Sequence, residues 1–181
     1  LRAILKNSDE YVSATTIAKE LSLGEVQVRK DLNSISGAGR PKIGYAVKDL
    51  IESIENALGY SNLAKAIIVG AGKLGQALLN FEGFGEYGVE ISAAFDLVAK
   101  EKVHREVYPM TQFESFCKNN NIKIGIITVN ENAAQEVCDL MLKNNIKAIW
   151  NFTPEKLNVP KDVIVQQENL ALSLAHLNNQ L

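Results

Sequence analysis

The feature that most constrains this chain is a six-residue run near its middle, Gly70-Ala71-Gly72-Lys73-Leu74-Gly75, placed directly after the apolar stretch Ala66-Ile67-Ile68-Val69. A short, continuously apolar run reads as a strand buried on both faces, which is how strands of a parallel sheet are patterned. Glycines at the spacing G-x-G-x-x-G after such a strand, opening a segment with Leu74, Ala77 and Leu78 on one helical face, match the turn that admits a dinucleotide pyrophosphate. Gly70 permits the tight turn, Gly72 lets the backbone approach the phosphates, and Gly75 lets the helix lie close on the strand. The N–H groups and partial positive charge of the helix start then face the anion. Gly70, Ala71, Gly72, Lys73, Leu74 and Gly75 are accordingly the expected pyrophosphate cradle.

A second strand, Val89 to Phe95, ends at Asp96, which lies 21 residues beyond Gly75. A carboxylate at that distance accepts from both hydroxyls of an adenosine ribose and repels a 2′-phosphate, so NAD(H) is expected rather than NADP(H). Leu97 and Val98 follow instead of Arg, with Lys100 and Lys102 the nearest cations. Strand-like and helix-like segments then alternate: Ile124 to Val129, Ala133 to Leu142, Ala148 to Phe152 and Val163 to Val165. That order predicts an α/β fold with a Rossmann-type doubly wound parallel sheet. Ligands of such sheets sit beyond the strands' C-terminal ends, so Thr128, Val129, Asn130, Asn151, Phe152 and Thr153 are expected around the nicotinamide half.

The N-terminal part has a different pattern. Ser13 precedes an apolar stripe at Ala14, Ile17, Ala18 and Leu21, the spacing of a short helix with a Ser N-cap. After Ser22-Leu23-Gly24, a second stripe at Val28, Leu32 and Ile35 predicts a helix over Glu25 to Ile35, and the pair has helix-turn-helix spacing. On that second helix Gln27, Arg29, Lys30 and Asn33 are able to reach base edges or phosphates. The Gly- and Pro-rich segment Ser36 to Tyr45 suits a wing whose Arg40 and Lys42 touch phosphate. Between Val26 and Lys48 five basic residues face the single Asp31, a local charge of 5 − 1 = +4, although the whole chain carries 19 − 21 = −2. Val47 to Leu58 reads as an amphipathic linker helix with Leu50, Ile51, Ile54 and Leu58 on one side, capped by Gly59. The expected division is a winged helix-turn-helix over 1–46, a linker helix over 47–62, a Rossmann domain over 63–167 and a C-terminal dimerisation helix over 168–181. In the last, Leu170, Leu174, Leu177 and Leu181 form a seam.

At 181 residues the chain is too short for a Rossmann domain with its own substrate domain. No apolar run is long enough to span a bilayer, and the start at Leu1, without Met or a basic-then-apolar leader, carries no secretion signal. Cys117 and Cys138 lack Cys-x-x-Cys spacing and a neighbouring His, so they are expected to be buried thiols of a cytoplasmic protein. The two histidines, His104 and His176, are not evidently placed beside the nicotinamide. There is no Gly-x-Ser-x-Gly and no metal-spaced cluster, so binding without catalysis is expected. On the residues alone a small NAD-dependent oxidoreductase and a nucleotide-binding regulatory subunit stay open.

Four segments resemble the Rex family of redox-sensing transcriptional repressors over nearly the whole chain. These are Val26-Gln27-Val28-Arg29-Lys30-Asp31-Leu32; the wing ending Gly44-Tyr45; Gly70 to Gly75 with the later Gly83-Phe84-Gly85; and Asn151-Phe152-Thr153-Pro154 followed by Val159-Pro160. The resemblance implies a homodimer that binds palindromic operator DNA through winged helices and releases it when NADH occupies the Rossmann domain. It implies too that the C-terminal helix is exchanged between subunits. It places Arg29 and Lys30 on the recognition helix, the Gly70 to Gly75 turn on pyrophosphate and Asp96 on the ribose. Phe81 stands where some members have Tyr, Asn169 where an acid is found, and Asn130 where Pro follows Thr-Val, so a Tyr–acid hydrogen-bond switch cannot operate in the same form. A pocket of Phe81, Phe152 and the partner's helix is expected to favour the neutral reduced ring over the cationic one, because an apolar site disfavours an unpaired charge.

Overall fold

The structure, a computed structural model, describes residues 10–60, 63–97 and 106–180. Leu1, Val98, Lys100, Lys102, His104 and Leu181, which entered the sequence argument, lie outside the described residues. The chain divides into two compact units, Leu1–Asn62 and Leu63–Leu181.

The first unit runs β1 (Tyr11–Val12), α1 (Ala14–Glu20), α2 (Glu25–Ser36), β2 (Tyr45–Ala46) and α3 (Val47–Ala57). Ser13 caps α1 by accepting from the Thr16 N–H at 3.0 Å. The helices exist because their apolar faces share one small core, in which Ile17, Ala18, Val28, Leu32, Tyr45 and Leu50 are buried. Past α2 the chain turns at Gly37, closes a tight loop in which the Arg40 N–H donates to the Gly44 carbonyl at 2.8 Å, and returns as β2 antiparallel to β1. This is a winged helix-turn-helix. Two details differ from the sequence reading. Ile35 is 41% exposed, so the core stripe of α2 narrows to Val28 and Leu32. Helix α3 is an integral part of the unit and not a free linker, since Leu50 is buried and Val47, Ile51 and Ile54 pack against the same core. An amphipathic face of that width needs cover, and the neighbouring helices supply it.

The second unit contains β3 (Ala64–Val69), α4 (Lys73–Leu79), a 3₁₀ turn (Glu82–Tyr87), β4 (Val89–Asp96), β5 (Val107–Pro109), α5 (Phe113–Asn120), β6 (Ile124–Ile127), α6 (Glu131–Lys143), β7 (Ala148–Asn151), β8 (Ile164–Gln167) and α7 (Leu170–Asn178), with a short 3₁₀ turn before α5. Its six strands are all parallel, in the order β5-β4-β3-β6-β7-β8. The order reverses between β3 and β6, which is the switch point where doubly wound sheets open a crevice for ligand. One face of the sheet packs on α5 and α6 through Ile67, Val69, Ala93, Phe95, Phe113, Cys138 and Met141. The opposite face packs on α4 and the 3₁₀ turn through Ala66, Ile68, Leu79, Ile91, Ala94 and Phe84.

Strand β4 changes phase part-way. Ile91 pairs with Ala66 and Ala93 with Ile67, so Ser92 is an extra residue, a β-bulge. Before it, Val89 and Ile91 face the α4 side; after it, Ala93 and Phe95 face the α5–α6 side.

Among the described residues no helix is long and apolar enough to cross a membrane. Cys117 and Cys138 are buried, and burial pushes both thiols up to about 11, with the Asp139 charge adding to the effect at Cys138. A raised thiol pKa leaves little thiolate to react near neutrality. Neither cysteine is expected to react with a disulfide reagent at pH 8 in the folded protein, and both should react within the unfolding transition, as a thiol titration across a urea gradient would record.

Candidate dinucleotide and DNA-contact sites

The glycine turn is the tightest place in the second unit. Gly70 has φ +104°, and a Cβ there would lie 2.7 Å from the Thr128 backbone carbonyl, so neither its conformation nor its surroundings tolerate a side chain. A Cβ on Gly75 would stand 1.9 Å from the Gly70 carbonyl oxygen. By contrast Gly72 faces open space and forms the N-cap of α4 without a side-chain cap. The Thr128 hydroxyl donates to the Gly70 carbonyl at 2.7 Å, tying the end of β6 to the turn. Asp96, at the end of β4, accepts from the Ala71 N–H at 2.8 Å with one carboxylate oxygen and from the Leu97 N–H at 2.7 Å with the other.

These elements border a cleft of about 760 Å³ at the switch point. Of the residues singled out in the sequence, Gly70, Gly72, Asp96, Thr128, Val129 and Asn130 line it; Ala71, Lys73, Leu74 and Gly75 belong to the adjoining turn and helix. The apolar wall of the cleft was not legible in the sequence: Met110 comes from a short segment without periodicity, and Ala133, Val137 and Leu140 repeat along a helix as ordinary core residues would.

Asn151, Phe152 and Thr153 do not line that cleft. Asn151 is fully buried; its amide donates to the Glu155 carbonyl at 2.8 Å and the Gln167 side chain at 2.9 Å, and its oxygen accepts from the Thr153 N–H at 3.0 Å and hydroxyl at 2.9 Å. This pair pins the loop after β7. Phe152 joins a row of rings on the α4 side of the sheet. Phe81, 57% exposed, meets Phe84 edge-on at 5.0 Å; Phe84 meets Trp150 at 6.0 Å and Trp150 meets Phe152 at 4.5 Å. The Trp150 indole N–H donates to Glu168 at 3.1 Å, one residue before Asn169, whose side chain caps α7. His176 lies on α7 with its ring 3.1 Å from the Gln180 amide, and His104 is outside the described residues.

In the first unit Arg29, Asn33, Arg40, Lys42 and Tyr45 line a groove of about 500 Å³ between α2 and the wing. Arg29 is paired with Glu25, Gln27 donates to Asp31 at 2.7 Å, and Lys30 is exposed on the same helix. Arg40 lies over the Tyr11 ring at 5.8 Å and donates to its hydroxyl at 3.3 Å.

A winged helix-turn-helix joined to a dinucleotide-type Rossmann unit defines a transcription regulator that carries its own nucleotide sensor domain. The CoA binding domain family matches residues 61–155. The redox-sensing transcriptional repressor Rex of Treponema denticola is 46% identical over 93% of this chain and 82% of its own length. That of Bacteroides fragilis is 37% identical over the whole chain and 84% of its own length. Among solved structures, RSP in complex with β-NAD+ and operator DNA superposes with a TM-score of 0.85 at 34% identity, over 98% of this chain and 84% of that one. RSP in complex with β-NADH gives 0.80 at 33% identity, over 98% and 85%. The chain belongs to the Rex family of redox-sensing transcriptional repressors.

Gly75→Ala is expected to destabilise the second unit by about 1–3 kcal/mol through overpacking against the Gly70 carbonyl. Gly85→Ala, where a Cβ meets nothing within 4 Å, should be nearly silent. Urea denaturation of the two variants compares them directly.

Proposed function

We propose that this protein represses transcription by holding operator DNA with its winged-helix unit, and that it lets go when NADH occupies the cleft of its Rossmann unit. The observation that carries the reading is Asp96 turned onto the glycine turn at the switch point of the sheet. A carboxylate has about four acceptor positions. Two take the Ala71 and Leu97 N–H groups, which leaves two for the ribose hydroxyls of NAD(H). Gly72 at the start of α4 would hold the pyrophosphate, and Met110, Val129 and Leu140, which line the cleft, would take the adenine. The Phe81–Phe84–Trp150–Phe152 row would receive the nicotinamide half, since an apolar surface favours the uncharged reduced ring over its oxidised cation. Gln27, Arg29, Lys30, Asn33, Arg40 and Lys42 meet the duplex. The protein works in the cytoplasm, where operator DNA is found, and is not an enzyme.

Linkage sets the mechanism. NADH displaces DNA only to the extent that it prefers the conformation with low operator affinity, and DNA must weaken NADH by the same factor. The second copy comes from α7. Leu170, Leu172, Leu174 and Leu177 are 58–68% exposed, a helix with no buried residue of its own. Paired with the same helix of another chain it buries that surface, and two reading heads then fit the two halves of a palindrome.

Fluorescence anisotropy of a labelled palindromic operator should show binding that falls steeply with salt and is reversed by NADH but not by NAD+. Asp96→Ala should keep DNA binding and lose about 1.5–3 kcal/mol of NADH affinity; operator binding indifferent to both nucleotides overturns the reading, and steady turnover of NADH with carbonyl compounds favours an oxidoreductase. In sedimentation velocity the protein should run as a dimer and Leu174→Lys/Leu177→Lys as a monomer; a mass unaffected by the double substitution removes α7 from the interface.

A further inference from the structure

We propose that Tyr45 fixes the orientation of Asn33, so that this recognition-helix amide turns its NH₂ group to the duplex and meets it chiefly as a hydrogen-bond donor. The inference deepens the operator-binding reading above and rests on it. An asparagine free to rotate offers one acceptor and two donors, which is why it can pair with both the N7 and the N6 amino group of adenine at once. Asn33 is not in that condition. The Tyr45 hydroxyl donates to the Asn33 carbonyl oxygen at 2.7 Å. A phenol is a good donor and an amide oxygen the better acceptor of the pair, so the NH₂ group is the end turned away from the tyrosine.

The tyrosine is itself held. Tyr45 is 8% exposed and sits in β2 opposite Val12 of β1. The preceding Gly44 has φ +99°, and a Cβ on it would lie 2.3 Å from the Val12 carbonyl oxygen, so the backbone reaches Tyr45 by a route only glycine allows. A Cβ on Gly39 would lie 2.9 Å from Cε2 of the tyrosine ring, so the wing closes directly over that ring. The hydroxyl is therefore delivered to one place by the wing, and Asn33 lines the groove between wing and recognition helix beside Arg29, Arg40 and Lys42. Its exposed N–H groups suit an acceptor: O6 or N7 of guanine, O4 of thymine, or a phosphate oxygen. Bidentate adenine recognition and acceptance from cytosine N4 are disfavoured while the Tyr45 bond is made, because the base would have to share the oxygen with the hydroxyl that holds it toward the wing. Asn33 is thus a contact of restricted polarity, and Tyr45 is the positioning residue that restricts it.

The test measures operator binding of the full chain in the absence of nucleotide. It uses a panel of duplexes with each base pair of the half-site replaced in turn, and a second panel with single neutral methylphosphonates. The wild type must first bind the parent operator, which separates failure of the operator reading from failure of this one. For a base contact, one position should discriminate acceptor from donor edges by about tenfold, the worth of one hydrogen bond. Tyr45→Phe keeps the ring and frees the amide, so it should reduce that preference to about twofold there and leave the other positions unchanged. For a phosphate contact, base discrimination is the same in both proteins, and one methylphosphonate should weaken the wild type several-fold and Tyr45→Phe much less. Asn33→Asp, which still accepts from Tyr45 but turns a second carboxylate oxygen to the duplex, should lose at least tenfold in affinity in either case. Unchanged NADH affinity and circular dichroism establish that the variants fold. The proposal is overturned if Tyr45→Phe reproduces the wild type in both panels, or if Asn33→Asp binds the operator as well as the wild type.

Discussion

The second unit depends on one close approach, the carbonyl of Gly70 lying under the α-carbon of Gly75 with the Thr128 hydroxyl donating to that same oxygen. It fixes how near α4 comes to the sheet and so where the first turn of the helix opens. It also joins β3 to β6 across the point where strand order reverses. The cleft is not a hollow left over from packing. It follows from two consecutive connections leaving the sheet on opposite faces, with the glycine turn at their parting and Asp96 drawn onto the turn by the Ala71 N–H.

The first unit solves a different problem with little material. A core of about a dozen side chains must hold a helix for the major groove and a wing beside it, and the short β1–β2 pair connects the two. Tyr45 belongs both to that core and to the edge of the groove. Packing stability and the chemistry offered to DNA therefore meet in one residue, whose ring is apolar and whose hydroxyl is not.

Much of this was legible in the sequence, and the reasons differ by element. Glycine spacing after an apolar run carries its geometry with it, because the positions that cannot hold a side chain are the ones the turn brings against a backbone. The Ser13 cap and the stripes of α1 and α2 were readable for the same local reason. The status of α3 was not, since an amphipathic helix shows that it needs cover without showing which elements give it. Nor was the inward turn of Asn151 visible: an asparagine at a strand end is equally suited to a ligand or to a loop, and only the placement of Glu155, Gln167 and Thr153 shows its four hydrogen bonds to be taken within the chain. The apolar wall from Met110 and Leu140 was hidden because a pocket lining and a core use the same residue types.

The bulge at Ser92 has a consequence for how this strand can vary. Side chains alternate with a period of two, so one supernumerary residue reverses the facing of everything after it. Ile91 and Phe95 lie on opposite faces of the sheet, although four positions apart they would share a face in an unbroken strand. Loss of Ser92 would close the bulge and leave Ile91 opposite Ala66, Ala93 opposite Ile67 and Phe95 opposite Val69, each on its present face. The facing of side chains along β4 is therefore set by its pairing with β3 and not by counting along the strand: one extra residue is taken up at the bulge, and Phe95 and Asp96 keep the places that Val69 and the glycine turn give them.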